Sequence, residues 1–199
     1  GQITWTDYDP LHRPVQTTLS DPDAEGPLPA PITRSSYDAN SNRIALTTVV
    51  DLAAGLTESD RFEYDSLGRI SALIGPTGKA ARFGFDDRGR LISATDPAGR
   101  TTQLEYLGET ALISKTSCCG GVTQVFTYDE ELNLTAVKAG AATVSEYEYT
   151  DDGLVSAIRH AGTGEQRFEY DTRGRMAAVV DALGHVNRFT YDQRDNLIS

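Results

Sequence analysis

The residues of this chain that could do chemistry recur in one arrangement, an aromatic ring followed directly by a carboxylate. Tyr8-Asp9, Tyr37-Asp38, Tyr64-Asp65, Phe85-Asp86, Tyr128-Asp129, Tyr170-Asp171 and Tyr191-Asp192 all have it. Such a pair could stack on a ligand, hold a cation or move a proton. Paired-carboxylate catalysis, however, needs two acids in unlike environments, and these sites repeat a single environment. An Asp opening a turn closes it with its own side chain, and an aromatic at one spot of every unit builds a cross-strand ladder. Both types are therefore read as structural. The rings are expected to be buried, so that Tyr170→Ala would cost about 3 to 5 kcal/mol.

The remaining candidates carry less. Glu58, Asp60, Asp86-Asp87, Asp151-Asp152 and Asp21-Pro-Asp23 lack the alternating ligands and central Gly of a calcium loop, and are read as solvated turn charge. His12, His160 and His185 lie in or beside turns, far apart, with no metal-binding spacing. They are expected at the surface, with His160→Ala within about 0.5 kcal/mol of neutral. Cys118 and Cys119 are adjacent and form no C-x-x-C motif; they cannot join distant segments, a bridge between neighbours is strained, and the redox compartment stays open. Gly120-Gly121 opens no phosphate loop, and no Ser sits in a nucleophile elbow. A glycosidase would need two carboxylates facing each other across a cleft, and no asymmetric pair can be nominated. No catalytic, cofactor-binding or metal residue is assigned, no cofactor is expected, and the chain is not expected to be an enzyme.

Composition narrows the partners. A hydrophobic share of 39% beside 24% charged residues is that of a folded protein. A net charge of −11 repels phosphate backbones and anionic lipids, so nucleic acid is not expected as a partner. No apolar run reaches the roughly 18 residues of a membrane helix, and Gly1 to Pro10 shows no targeting pattern. Membrane insertion by this segment is not expected.

The elements that must position the aromatic-Asp pairs follow from their period. Tyr64, Phe85, Tyr106, Tyr128, Tyr149, Tyr170 and Tyr191 are spaced by 21 or 22 residues, while Tyr8, Tyr37 and Tyr64 are spaced by 29 and 27. Nine units result, divergent over 1–60 and regular over 61–199, in one array that reads as an excerpt of a longer chain. The extra residues of the early units are expected in loops. Phe62 with Tyr64, Phe83 with Phe85, Phe126 with Tyr128 and Phe168 with Tyr170 stand two apart, which puts them on one face of a strand. Arg61, Glu63, Arg167 and Glu169 fall on the other. Runs such as Ile70 to Ile74 and Met176 to Val180 supply a second strand. Asp65-Ser-Leu-Gly68 and Asp171-Thr-Arg-Gly174 suit a type I turn with a bulge, and Gly75-Pro-Thr-Gly78, Asp96-Pro-Ala-Gly99 and Asp181-Ala-Leu-Gly184 supply a second kind of reversal. The prediction is an all-β fold of tandem hairpins of about 21 residues in one long, curved antiparallel sheet, with no helix.

Tyr64-Asp-Ser-Leu-Gly-Arg69, Tyr170-Asp-Thr-Arg-Gly-Arg175 and Tyr37-Asp-Ala-Asn-Ser-Asn-Arg43 resemble the YD repeats of Rhs proteins, and the resemblance covers nearly the whole chain. It implies a segment of a spiral β-sheet that closes into a hollow cocoon around a toxic C-terminal domain, as in bacterial polymorphic toxins and insecticidal toxin complexes; similar shells occur in teneurins. The family's self-cleaving segment has no counterpart here. The implied partners are further repeats of the same chain and an enclosed toxin domain, and the implied location is secreted or at a bacterial cell surface. The alternative is an adhesion module that uses the outer face and the Pro-rich insertion Asp21 to Pro31 to hold a surface glycan or receptor.

Overall fold

The computed structural model describes residues 4–22, 30–52 and 54–199. The alternation of apolar and polar residues, broken by a turn signal every few residues, produces strand after strand. Gly1–Thr102 and Gln103–Ser199 form two compact units.

The first unit holds β1 (Thr4–Tyr8), β2 (Pro14–Leu19), β3 (Ile32–Tyr37), β4 (Arg43–Asp51), β5 (Leu56–Tyr64), β6 (Ile70–Ile74), β7 (Ala80–Phe85) and β8 (Leu91–Thr95). Each strand pairs antiparallel with the next. The second unit takes most of β9 (Thr101–Tyr106), then β10 (Ile113–Cys118), β11 (Val122–Tyr128), β12 (Leu134–Ala139), β13 (Ala142–Tyr149), β14 (Val155–His160), β15 (Gly164–Tyr170), β16 (Met176–Val180) and β17 (Val186–Arg188), again paired in sequence order. The all-β prediction holds. The one departure among the described residues is a single 3-10 turn at Cys119–Gly121, where the chain reverses between β10 and β11.

Register assigns the faces. Phe62 lies opposite Leu73, Leu73 opposite Ala81 and Phe83 opposite Ala94, which gathers aromatic and aliphatic side chains on one face. On the other, Ala72 lies between Glu63 and Arg82, Ala157 between Glu148 and Arg167, and Ala178 between Glu169 and Arg188. These three alanines are the fully buried apolar residues among those described. A methyl group is short enough to disappear between the long stems of flanking Glu and Arg. Across Ala72 the two stems also meet as an ion pair, Arg82 to Glu63 at 3.5 Å.

Two expectations need correction. The aromatic ladder is half-buried, not buried: Phe62, Tyr64, Phe83, Tyr128 and Tyr170 all keep part of their surface, Tyr8 is 61% exposed, and no large side chain among the described residues is fully enclosed. Strand neighbours cover a ring only at its sides, which leaves its outward surface open. The extra residues between Tyr37 and Tyr64 are not a loop either. They lengthen β4 and β5 to nine residues each, against five or six in β6 to β9, because Thr47, Thr48 and Val49 continue the ladder with Ser59, Glu58 and Thr57. The insertion after Tyr8 does leave the sheet beyond Leu19, and residues 23–29 of the Asp21 to Pro31 segment lie outside the described residues.

Candidate functional site

The recurring chemistry is concentrated in the turns. The Asp65 N–H donates to the Arg69 carbonyl at 2.9 Å, and the Gly68 N–H donates to the Asp65 carbonyl at 3.0 Å. This narrow loop needs a left-handed residue at its fourth position, and Gly68 takes φ +77° there. Asp65 Oδ1 accepts from the N–H groups of Leu67 and Arg69, and Oδ2 accepts from Arg69 Nε at 2.6 Å. One carboxylate thus closes the turn and pins the side chain that leaves it. Asp86 and Arg90, and Asp171 and Arg175, repeat the arrangement. In three other turns Asn42, Asn133 and Asn196 replace the Arg and donate Nδ2 to Asp38, Asp129 and Asp192.

The second set of reversals, expected to differ, has the same geometry. Asp96 with Arg100 and Asp181 with His185 show the same backbone pair and the same double use of the carboxylate, and Gly75 to Lys79 keeps the backbone bonds alone. At four turns the fourth position keeps its left-handed conformation although Gly is missing. His12, Ser41, Leu132 and Asp195 are held at φ between +58° and +69°, a conformation that costs a non-Gly residue about 1 to 2 kcal/mol. His12 is thus exposed, as expected, but stands at a conformationally demanding site.

Hydrogen bonding sets the acidity of these carboxylates. The Arg69 N–H is the main influence holding Asp65 below its ordinary value, and the Arg175 side chain does the same for Asp171. Asp38 and Asp192 are lowered chiefly by Asn42 and Asn196, and Asp181 by His185. An acid catalyst near neutral pH would need the opposite shift.

Two contacts then reach into the next repeat, and motif reading missed both. The Arg69 guanidinium lies 4.5 Å from the centre of the Phe85 ring and donates to the Asp86 carbonyl; Arg13 lies 4.7 Å from Tyr37 and donates to Asp38; Arg175 lies 4.5 Å from Tyr191. Each Arg therefore links its own turn to the following aromatic. In the opposite direction the phenol is a strut: the hydroxyls of Tyr64, Tyr128, Tyr149, Tyr170 and Tyr191 donate to the carbonyls of Arg43, Ile113, Leu134, Val155 and Met176, at 2.7 to 2.9 Å. The constant spacing of Tyr and Arg in the repeat is the signal that could have revealed this pairing.

The other candidates are not brought together. Asp129, Glu131, Glu148, Asp151 and Asp152 line an open groove of about 850 Å³ in the second unit, and among the described residues no three His, Cys, Asp or Glu side chains form a metal-holding group. His160 is exposed but bonds the buried Ser145 hydroxyl through Nδ1 at 2.8 Å, and His185 is engaged by Asp181. Cys118 and Cys119, whose redox state the sequence left open, are joined as a disulfide. Glu165 sits between Arg159 and Arg167 and is held below its usual acidity range, mainly by Arg159.

The family model named RHS Repeat matches residues 85–110 and 149–186. No curated protein matches the chain. Among solved structures it is similar to the crystal structure of TcdB2-TccC3-Cdc42, with a TM-score of 0.62 and 14% identity over 99% of this chain and 14% of that one. It is similar to the Tc holotoxin pore of Photorhabdus luminescens bearing a TccC3 mutation, with a TM-score of 0.59 and 18% identity over 100% of this chain and 12% of that one. The TcdB2-TccC3 crystal structure matches with a TM-score of 0.59 and 13% identity over 99% of this chain and 14% of that one. The chain thus spans only 12 to 14% of the length of these structures, and identities so low speak to fold alone. The two matched stretches lie on the turns and struts described above, and this match together with the likeness in fold supports the resemblance to Rhs/YD repeats.

Proposed function

We propose that this chain is a non-catalytic wall segment of an Rhs-type β-shell whose complete form encloses a toxin or effector domain of the same polypeptide, in a secreted or surface-delivered bacterial protein. The observation that carries this reading is the use made of the repeated residues. In the regular repeats the phenols, carboxylates and guanidiniums of the motif close a turn or tie it to a neighbour, as Asp65, Arg69, Tyr170, Asp171 and Arg175 do. A residue set spent on hairpin geometry, repeated at constant spacing, specifies extension of a sheet. Likeness in fold to the TccC3-containing toxin structures supports the shell and suggests the cargo. Such a wall acts by excluding solvent and proteases from what it surrounds.

The test is an electron-microscopy reconstruction of the full-length protein, combined with limited proteolysis. A hollow body, with the C-terminal domain resistant to protease until the repeats are unfolded, is the expected result. A solid rod, or a C-terminal domain cut as fast in the native protein as in isolation, would overturn the reading.

A further inference from the structure

The only two cysteines of the chain lie together in the connection between β10 and β11. Cys118 ends β10 and faces Val122, the first residue of β11; between them runs the 3-10 turn Cys119–Gly121, with Gly120 at φ +77° and Gly121 at φ +84°. Two successive left-handed positions are ones that Gly occupies without a Cβ penalty. At Asp65, Asp96, Asp129 and Asp171 a carboxylate closes the reversal. Here Cys118, at the cap position, makes no side-chain capping hydrogen bond, and the two sulfurs are bonded to each other instead.

We propose that Cys118 and Cys119 form a redox-sensitive clip, a covalent counterpart of the Asp cap, which small thiols or dithiols open. A bond between adjacent side chains closes a small ring around the 118–119 peptide and restricts the torsions on either side of it. Cys119 is exposed and Val122 is 63% exposed, so a small thiolate has access. The exchange is self-balancing. A reagent thiolate attacks one Sγ, the sulfur–sulfur bond breaks, and the other cysteine leaves as a thiolate that takes up a proton. A second reagent thiolate attacks the mixed disulfide and releases the first cysteine, so one disulfide and two reagent thiols become two cysteine thiols and one oxidised reagent. Opening is confined to the turn, because the Ser117–Thr123 and Thr116–Gln124 pairs of the ladder rest on backbone bonds that the exchange does not touch. A protein carried from an oxidising to a reducing compartment would meet this change on arrival.

The test treats the native protein with iodoacetamide, without reductant and after dithiothreitol, and reads the 118–119 peptide by mass spectrometry. Hydrogen exchange over 117–123 is followed in parallel, in the wild type and in the double variant Cys118→Ser/Cys119→Ser. Expected are no alkylation before reduction, double alkylation after it, and a severalfold rise in exchange that leaves the wild type indistinguishable from the variant. Ready alkylation of both cysteines without reductant, or exchange unchanged by reduction, would overturn the proposal. Neither readout depends on the shell reading, which would stand or fall separately.

Discussion

Two adjacent repeats of the second unit, Tyr149-Thr-Asp-Asp-Gly-Leu154 and Tyr170-Asp-Thr-Arg-Gly-Arg175, differ at the residues that look most essential. The first has lost both the Asp and the Arg. Its hairpin survives nonetheless. Thr150 and Leu154 make the same backbone pair as Asp171 and Arg175, Gly153 and Gly174 share a φ near +76°, and the hydroxyls of Tyr149 and Tyr170 reach carbonyls of the preceding repeat at 2.8 and 2.9 Å. What the first repeat lacks is the coupling. Thr150 Oγ1 accepts one N–H, that of Leu154, whereas Asp171 accepts two and holds Arg175, which stacks on Tyr191 and pairs with Asp195. The αL residue and the strut therefore build the repeat, and the Asp-Arg bracket ties it to its neighbour.

If that division is right, truncating the strut should be the most damaging change, and equally so in both repeats. Tyr149→Ala and Tyr170→Ala should each lower unfolding free energy by about 2 to 3 kcal/mol, less than the full cost of truncating an enclosed aromatic because both rings are only half-buried. Denaturant titrations of the two variants test this, and a large difference between them would break the comparison. Removing the hydroxyl alone, in Tyr149→Phe and Tyr170→Phe, should cost about 1 kcal/mol each; no loss in either would reduce the strut to a packing contact.

A comparable loss is expected for His160→Ala, about 1 kcal/mol, since the buried Ser145 hydroxyl would lose its partner. The surface reading expected near neutrality, and adding Ser145→Ala should recover most of the loss if the bond is its cause. The subtlest difference is in pH. Asp171 has a lowered pKa in the folded state, so its contribution is complete above its unfolded value of about 3.9 and is lost as pH falls through the lower folded value. Converting the second repeat into the first, with Asp171→Thr and Arg175→Leu together, should cost stability at about pH 6, and the cost should shrink as pH falls through the lowered folded value of Asp171. Melting curves of wild type and variant that stay parallel across this range would show that the carboxylate is not the relevant group.

The aromatic spacing, the alternation of Phe62, Glu63 and Tyr64, and the Asp and Gly of each turn were enough to predict strands, hairpins and faces, because strand period and turn chemistry act over a few neighbouring residues. Even the exceptions obey that local logic: Leu132 and Asp195 sit where Gly is expected and are forced into Gly's conformation.

Contacts between residues remote in the chain were out of reach. That Arg69 spans 17 residues to the Asp86 carbonyl, that Tyr170 reaches back 15 to Val155, and that Ser145 and His160 meet across β13 and β14 all depend on register between strands. Burial depended on it too. The sequence marked the large rings as core, whereas the fully covered residues are Ala72, Ala157 and Ala178, small enough to lie beneath the Glu and Arg stems that strand pairing brings to either side. The chain alone therefore determined the repeating unit; only the folded sheet decided how each unit grips the next, because that grip is made of distances that no local pattern encodes.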